Sequence, residues 1–114
     1  MPKETLTLLK GTLDVLILKA LSWGPLHGYA VSRWIRQVTD DALEVQEGVL
    51  YPALHRLERR GLVRAEWGVS ETNRRVKTYE LTEEGDAHLD SEKIGWNAYA
   101  QAVGKVLGAT QQPG

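Results

Sequence analysis

The chain has 114 residues, of which 42% are hydrophobic and 25% are charged, so we expect one soluble globular domain and not a disordered chain. It has no cysteine, which excludes disulfides and thiolate metal sites. Since no signal peptide and no apolar run of about 18 residues is evident, we expect a cytoplasmic protein without a membrane segment.

The net charge of −1 is unevenly distributed. Residues 51–79 hold seven Lys or Arg and three Asp or Glu, a local net charge of +4, whereas the rest of the chain holds seven and twelve. A basic face for an anionic partner would explain this asymmetry, and so would a scatter of solvated charges.

The first predicted helix runs from about Leu8 to Ser22 and is apolar on two sides. One side can pack in the core of the chain. The other side, which carries Leu8, Val15 and Leu18, needs a further partner, such as a second copy of the protein. Trp23-Gly24-Pro25 ends this helix.

A second helix is expected from about His27 to Val38, followed by a polar turn. A third helix should begin between Gln46 and Val49, with Pro52 near its start, where a missing N–H costs little. Gly61 should end it. The helix has an apolar stripe and, on the other side, an aromatic and basic face, so it is predicted to be a DNA recognition helix. The apolar stripe consists of Leu50, Ala53, Leu54 and Leu57.

The alternating segments 62–67 and 75–81 predict a β-hairpin, which would form a wing. Thr82 is a hydroxyl cap for a last helix that extends to about Leu107. The predicted fold is therefore mainly α with small β. It comprises a winged helix-turn-helix domain (three helices and a two-stranded wing, residues 1–81), a C-terminal dimerisation helix (82–108) and a disordered tail (109–114).

Several linked motifs resemble the PadR family of bacterial transcriptional regulators. They are Leu26-His27-Gly28-Tyr29, the stretch 48–63, Asn73-Arg74-Arg75 and the stretch 79–85. The single C-terminal helix is similar to the short PadR subgroup. The resemblance implies a winged-helix dimer that binds a palindromic operator, usually as a repressor released by a small molecule. Family members commonly carry Ser or Thr where this chain has Val49, which offers only apolar contact, for instance to a thymine methyl.

The residues expected to contact double-stranded DNA are aromatic, basic or apolar side chains of the third helix, the start of the second helix and the wing. They are Val49, Tyr51, His55, Arg56, Arg59, Arg74, Arg75, Lys77 and Tyr29. Each could instead belong to a solvated surface or, for Tyr29 and Tyr51, to side-chain packing. The wing cations could instead protect an edge strand from aggregation. Arg60 and Arg64 are expected to be ordinary surface charges.

A second set of residues is expected at the dimer axis, where a planar hydrophobic or phenolic effector could bind, or where the residues simply form the dimer seam. It consists of Leu8, Val15, Leu18, Trp96, Tyr99, Val103, Val106 and Leu107.

The three histidines lack the spacing of metal ligands, and no nucleophile motif or phosphate loop is present. We therefore expect no catalytic residue, no metal and no cofactor.

Two other functions fit the same features. One is a small-molecule sensor with weak DNA affinity, which Val49 and the net charge of −1 favour. The other is a winged-helix module whose basic face binds an acidic protein.

Overall fold

The computed structural model describes residues 11–114, which contain four helices and a three-stranded sheet. The elements in chain order are α1 (Thr12–Leu21), β1 (Leu26–His27), α2 (Gly28–Val38), α3 (Glu47–Arg59), β2 (Val63–Val69), β3 (Arg75–Leu81) and α4 (Glu83–Leu107). The predicted fold class, a winged helix-turn-helix followed by a long C-terminal helix, is confirmed.

Helix α1 lies in the centre of the domain and packs against α2, α3, α4 and β3. The described part of this helix begins at Thr12, directly after Gly11, which adopts a left-handed conformation with a φ of 87°. Leu8 lies outside the described residues. Leu18 is fully buried in the core of its own chain, so its predicted place at a dimer axis is wrong. Val15 is only partly buried.

Helix α3 buries its predicted apolar stripe completely, from Leu50 to Leu57. Its end also follows the prediction: Gly61 has a φ of 75°, and the N–H groups of Gly61 and Leu62 bond to the carbonyls of Glu58 and Leu57. Pro52, by contrast, is the sixth residue of the helix. The prediction that its missing N–H falls among the first N–H groups, which have no partner within the helix, is therefore wrong. Pro52 removes a hydrogen bond to the carbonyl of Gly48, an exposed residue that water can reach.

The predicted hairpin forms from β2 and β3, which pair from Val63–Leu81 to Val69–Arg75. The wing was predicted with two strands, but β1 adds a third by pairing with Tyr79 and Thr78 on β3. Because this strand has only two residues, it leaves no alternating pattern in the sequence.

Helix α4 is fastened to the end of α3 by its first turn. The Thr82 hydroxyl accepts a hydrogen bond from the Gly85 N–H (3.0 Å) and donates one to the Gly61 carbonyl (2.6 Å). Gly85 lies directly against the backbone of Leu62, where a Cβ would be 1.9 Å from the carbonyl oxygen. The predicted cap is therefore confirmed, and it also sets the position of α4 on the domain.

Candidate nucleic-acid interface

The side of α3 opposite its buried stripe carries the predicted contact residues. Tyr51, His55 and Arg59 follow one another at intervals of four residues and form one exposed row. Among residues 11–114, the side chains of His55 and Arg59 have no hydrogen-bond or ion-pair partner. This row is therefore available to an external ligand.

Tyr51 is partly anchored, with 36% of its surface exposed. Its ring lies on the backbone of Gly28, the first residue of α2, where a Cβ would be only 2.8 Å from the ring atom Cε1. Burial raises the pKa of the Tyr51 phenol, and Glu47 and Tyr79 raise it further. The hydroxyl therefore stays protonated at neutral pH and can donate a hydrogen bond.

A groove of about 650 Å³ separates α3 from the wing. Tyr51 and His55 line one wall, and Trp67, Arg75 and Lys77 line the wing side. Tyr29, at the start of α2, lies at the same groove, which also contacts the buried ring of Tyr79. The tertiary fold thus brings together aromatic and cationic side chains from four separate elements, α2, α3, β2 and β3.

Three arginines near the end of α3 and on β2 already have a carboxylate partner within the chain. Arg56 and Arg60 point towards α1, where their guanidinium groups lie 3.2 and 3.9 Å from the Asp14 carboxylate. Arg64 is hydrogen-bonded to Glu80, which raises the pKa of this guanidinium further. Arg56 was predicted to contact DNA like Arg59, but its charge is already shared with Asp14.

The other predicted residues do not line the groove. Val49 is exposed in the first turn of α3, and Arg74 is exposed in the turn between β2 and β3. That turn is closed by hydrogen bonds between Ser70 and Arg74. The groove itself contains five of the nine predicted residues, namely Tyr29, Tyr51, His55, Arg75 and Lys77.

Trp67 is a groove residue that the sequence did not single out. It lies directly opposite Lys77 in the hairpin, and its ring contacts Arg75 as well. The alternation of the segment 62–67 predicts that Trp67 lies on the same side of the strand as Val63. It does not predict which residue of β3 lies opposite Trp67, because that depends on the register of the hairpin.

The second predicted region lies on α4. Val15 and Trp96 line a cavity of about 320 Å³ between α1 and α4, and Lys19 and Lys93 also border it. The Trp96 and Tyr99 rings are 6.2 Å apart. Tyr99, Val103, Val106 and Leu107 are all exposed on α4.

Within the described part of the chain, no group of three His, Cys, Asp or Glu is arranged to hold a metal ion. None of the helices in residues 11–114 combines the length and apolar character needed to cross a membrane. The cytoplasmic location expected from the sequence stays a prediction.

Helix α3 flanked by α2 and a cationic hairpin defines a winged helix-turn-helix protein. The transcriptional regulator PadR-like family matches residues 17–91, about two thirds of the chain, so the protein belongs to this family. An uncharacterized protein of Lysinibacillus sphaericus is 31% identical over 89 residues, which cover 78% of this chain and 82% of that protein.

Solved structures of similar proteins share the fold. A transcriptional regulator from Clostridium thermocellum is 32% identical with a TM-score of 0.77, over 84% of this chain and 90% of that chain. A PadR-like transcriptional regulator from Bacillus cereus is 28% identical with a TM-score of 0.75, over 89% of this chain and 96% of that chain. The family membership predicted from the motifs is confirmed.

Proposed function

We propose that this transcriptional regulator acts as a homodimer that binds a palindromic DNA operator through α3 and the wing. The observation that carries the proposal is the exposed row of Tyr51, His55 and Arg59 beside a groove that carries Arg75 and Lys77 on its wing side. A row of donors and cations on an α-helix can enter the major groove, while the wing cations bind phosphates or the minor groove.

The dimer is proposed from α4. Its outer half, which we define as residues 94–107, is exposed along its length and carries the apolar side chains Ile94, Trp96, Tyr99, Val106 and Leu107. A second copy would cover this surface, since a two-fold axis pairs identical apolar patches. The two α3 helices could then enter successive major grooves, about 34 Å apart.

The test begins with selection of bound sequences from a pool of random double-stranded DNA. We expect a palindromic sequence to be enriched. Binding to this sequence should exceed binding to a scrambled duplex by at least about a thousand-fold at about 0.15 M salt with competitor DNA. Binding that depends on salt but not on sequence would contradict the proposal and would favour a sensor or a protein-interaction module.

Two neighbouring arginines provide a matched pair of variants. Arg59→Ala should weaken binding to the selected duplex and lower the salt-dependence slope by about one, because Arg59 has no partner within residues 11–114. Arg60→Ala should leave that slope unchanged, because Arg60 faces Asp14. Equal effects of the two changes would contradict the assignment of the DNA-binding face.

The regulatory mode proposed is repression that a planar hydrophobic or phenolic effector relieves. The support is the cavity between Val15 and Trp96, which is apolar, aromatic and next to the proposed dimer surface. An effector would release DNA if it bound more tightly to a dimer whose wings are wrongly spaced for the operator than to the DNA-binding dimer. An effector with equal affinity for these two conformations would not change their populations.

The effector site is tested by titrating a phenolic acid and a planar aromatic dye into the complex with the selected duplex. We expect release of DNA by one of them, and loss of this release in Trp96→Leu. Trp23→Leu, which changes an exposed tryptophan elsewhere on the domain, serves as the control. Unchanged effector affinity in Trp96→Leu would overturn the site.

A further inference from the structure

Two wing cations lie beside one indole ring. Trp67 on β2 pairs directly with Lys77 on β3, and Arg75 lies one diagonal position farther along the same face of the sheet. The Arg75 guanidinium carbon is 4.7 Å from the centroid of the Trp67 ring, and the Lys77 Nζ is 5.8 Å from it. Because the Trp67 side chain is 57% exposed, the hydrophobic core alone does not explain a tryptophan at this position.

The two cations differ in what else they contact. The Lys77 ammonium is 3.8 Å from the carboxylate of Glu58 on α3, and the Lys77 side chain is only 25% exposed. No carboxylate within residues 11–114 lies within ion-pair distance of Arg75. Lys77 therefore joins the wing to α3 and has its charge partly balanced there.

A contact with an aromatic face leaves the charge of a cation intact, whereas an ion pair balances it. The guanidinium group is planar: its face can lie on a ring while the N–H donors at its edge remain available for a phosphate. Such a contact also restricts a long side chain that would otherwise lose its rotamer freedom on binding. Trp67 can thus orient Arg75 without neutralising it.

We propose that Trp67 is a positioning residue for DNA binding, which holds the guanidinium of Arg75 at the groove between α3 and the wing for a phosphate of the DNA backbone. This assignment rests on the proposed function. It also separates the roles of the wing cations: Arg75 contacts DNA, and Lys77 connects the wing to α3.

The contact in the free protein is tested by NMR without DNA. The side-chain protons of Arg75 should be shifted upfield by the indole ring, and Trp67→Leu should remove this shift. Arg74, which is exposed in the adjacent turn, is the internal reference. An Arg75 spectrum that is the same in wild type and Trp67→Leu would overturn the proposal.

The functional role is tested with the duplex selected by the wild-type protein. Trp67→Leu should weaken binding about two- to five-fold, as expected for an exposed cation–π contact, with an unchanged salt-dependence slope because no charge is removed. Arg75→Ala should weaken binding and lower the slope by about one. Trp67→Phe should restore part of the affinity, since a phenyl ring retains an aromatic face.

Trp23→Leu is the matched control, because Trp23 is also exposed and carries the Lys19 ammonium 4.6 Å from its ring, but it lies in the turn after α1. We expect it to leave DNA affinity unchanged. Thermal unfolding by circular dichroism identifies any variant that fails to fold.

The double variant decides between positioning and direct contact. In the Arg75→Ala background, Trp67→Leu should cause no further loss of affinity. The same two- to five-fold loss in both backgrounds would overturn the positioning role while leaving the proposed function intact. Absence of sequence-specific DNA binding by the wild-type protein would overturn both proposals.

Discussion

The two halves of α4 differ sharply in their surroundings although they form one continuous helix. In the first half, Gly85 and Leu89 are buried against the domain, and the hydroxyl of the capping residue Thr82 donates a hydrogen bond to the Gly61 carbonyl at the end of α3. In the outer half, residues 94–107 are all exposed. Trp96 illustrates the difference, since 43% of this large apolar side chain is exposed.

This comparison shows that apolar periodicity does not by itself identify what an apolar face contacts. Leu89 and Val103 occupy positions 14 residues apart, two heptads, on one helix. Leu89 packs in the core, whereas Val103 lies beyond the domain. The inner half is stabilised by contacts within the chain, whereas the outer half is exposed and is the surface that we propose for the dimer.

The largest expected effect distinguishes two glycines of this helix. Gly85→Ala should destabilise the fold by about 3 kcal/mol, because its Cβ would lie 1.9 Å from the carbonyl oxygen of Leu62, a backbone atom that cannot turn away. Gly95→Ala should stabilise the protein by about 0.5–1 kcal/mol, since nothing lies within 4 Å of the added Cβ. Urea unfolding at a fixed protein concentration measures both changes.

Equal stability changes at the two glycines would contradict the difference between the halves of α4. If only Gly95→Ala lost stability, the result would indicate that a second copy of the protein approaches the outer half of α4 closely at that residue.

The next effect concerns the exposed apolar surface. Val103→Glu should weaken self-association at least ten-fold, a change of about 1.4 kcal/mol, because a carboxylate would have to lose its hydration at the proposed dimer surface. Gln101→Glu introduces the same charge on the opposite side of the helix and should have little effect. Sedimentation equilibrium measures the dissociation constants, and similar values for the two variants would argue against this surface.

The smallest effect concerns the cap of α4. Thr82→Ala should destabilise the fold by about 1 kcal/mol, because the hydroxyl satisfies the Gly85 N–H and donates to the Gly61 carbonyl. Thr82→Ser keeps the hydroxyl and should recover most of this stability. Thermal unfolding at matched concentrations checks both variants. An unchanged melting temperature in Thr82→Ala would show that Gly85 packing alone fastens α4.

Much of the fold could be predicted from local patterns. The stripe of α3 from Leu50 to Leu57, its end at Gly61 and the cap at Thr82 depend on neighbouring residues only, and each is present. Strand β1 could not be predicted, because it consists of two residues whose partners on β3 lie about fifty positions away. The positive φ of Gly11 could not be predicted either, because the apolar pattern of α1 does not depend on the backbone conformation of that glycine.

The candidate site was predictable as a set of residue types but not as an arrangement. The aromatic and basic character of α3 and of the wing is evident in the chain itself. Which guanidinium groups remain available is decided by residues distant in sequence: Asp14 lies near Arg56 and Arg60, whereas Arg59 has no partner within residues 11–114.

By itself, the sequence determined the type of each helix, the cap and end signals, and the separation of basic from acidic segments, because these depend on spacing and composition. Only the tertiary structure decided that Leu18 lies in the core, that Trp67 faces Arg75, and that the outer half of α4 lies beyond the domain. The physical reason is that burial, ion pairing and strand register depend on which surfaces meet after folding, and residues far apart in the chain supply those surfaces.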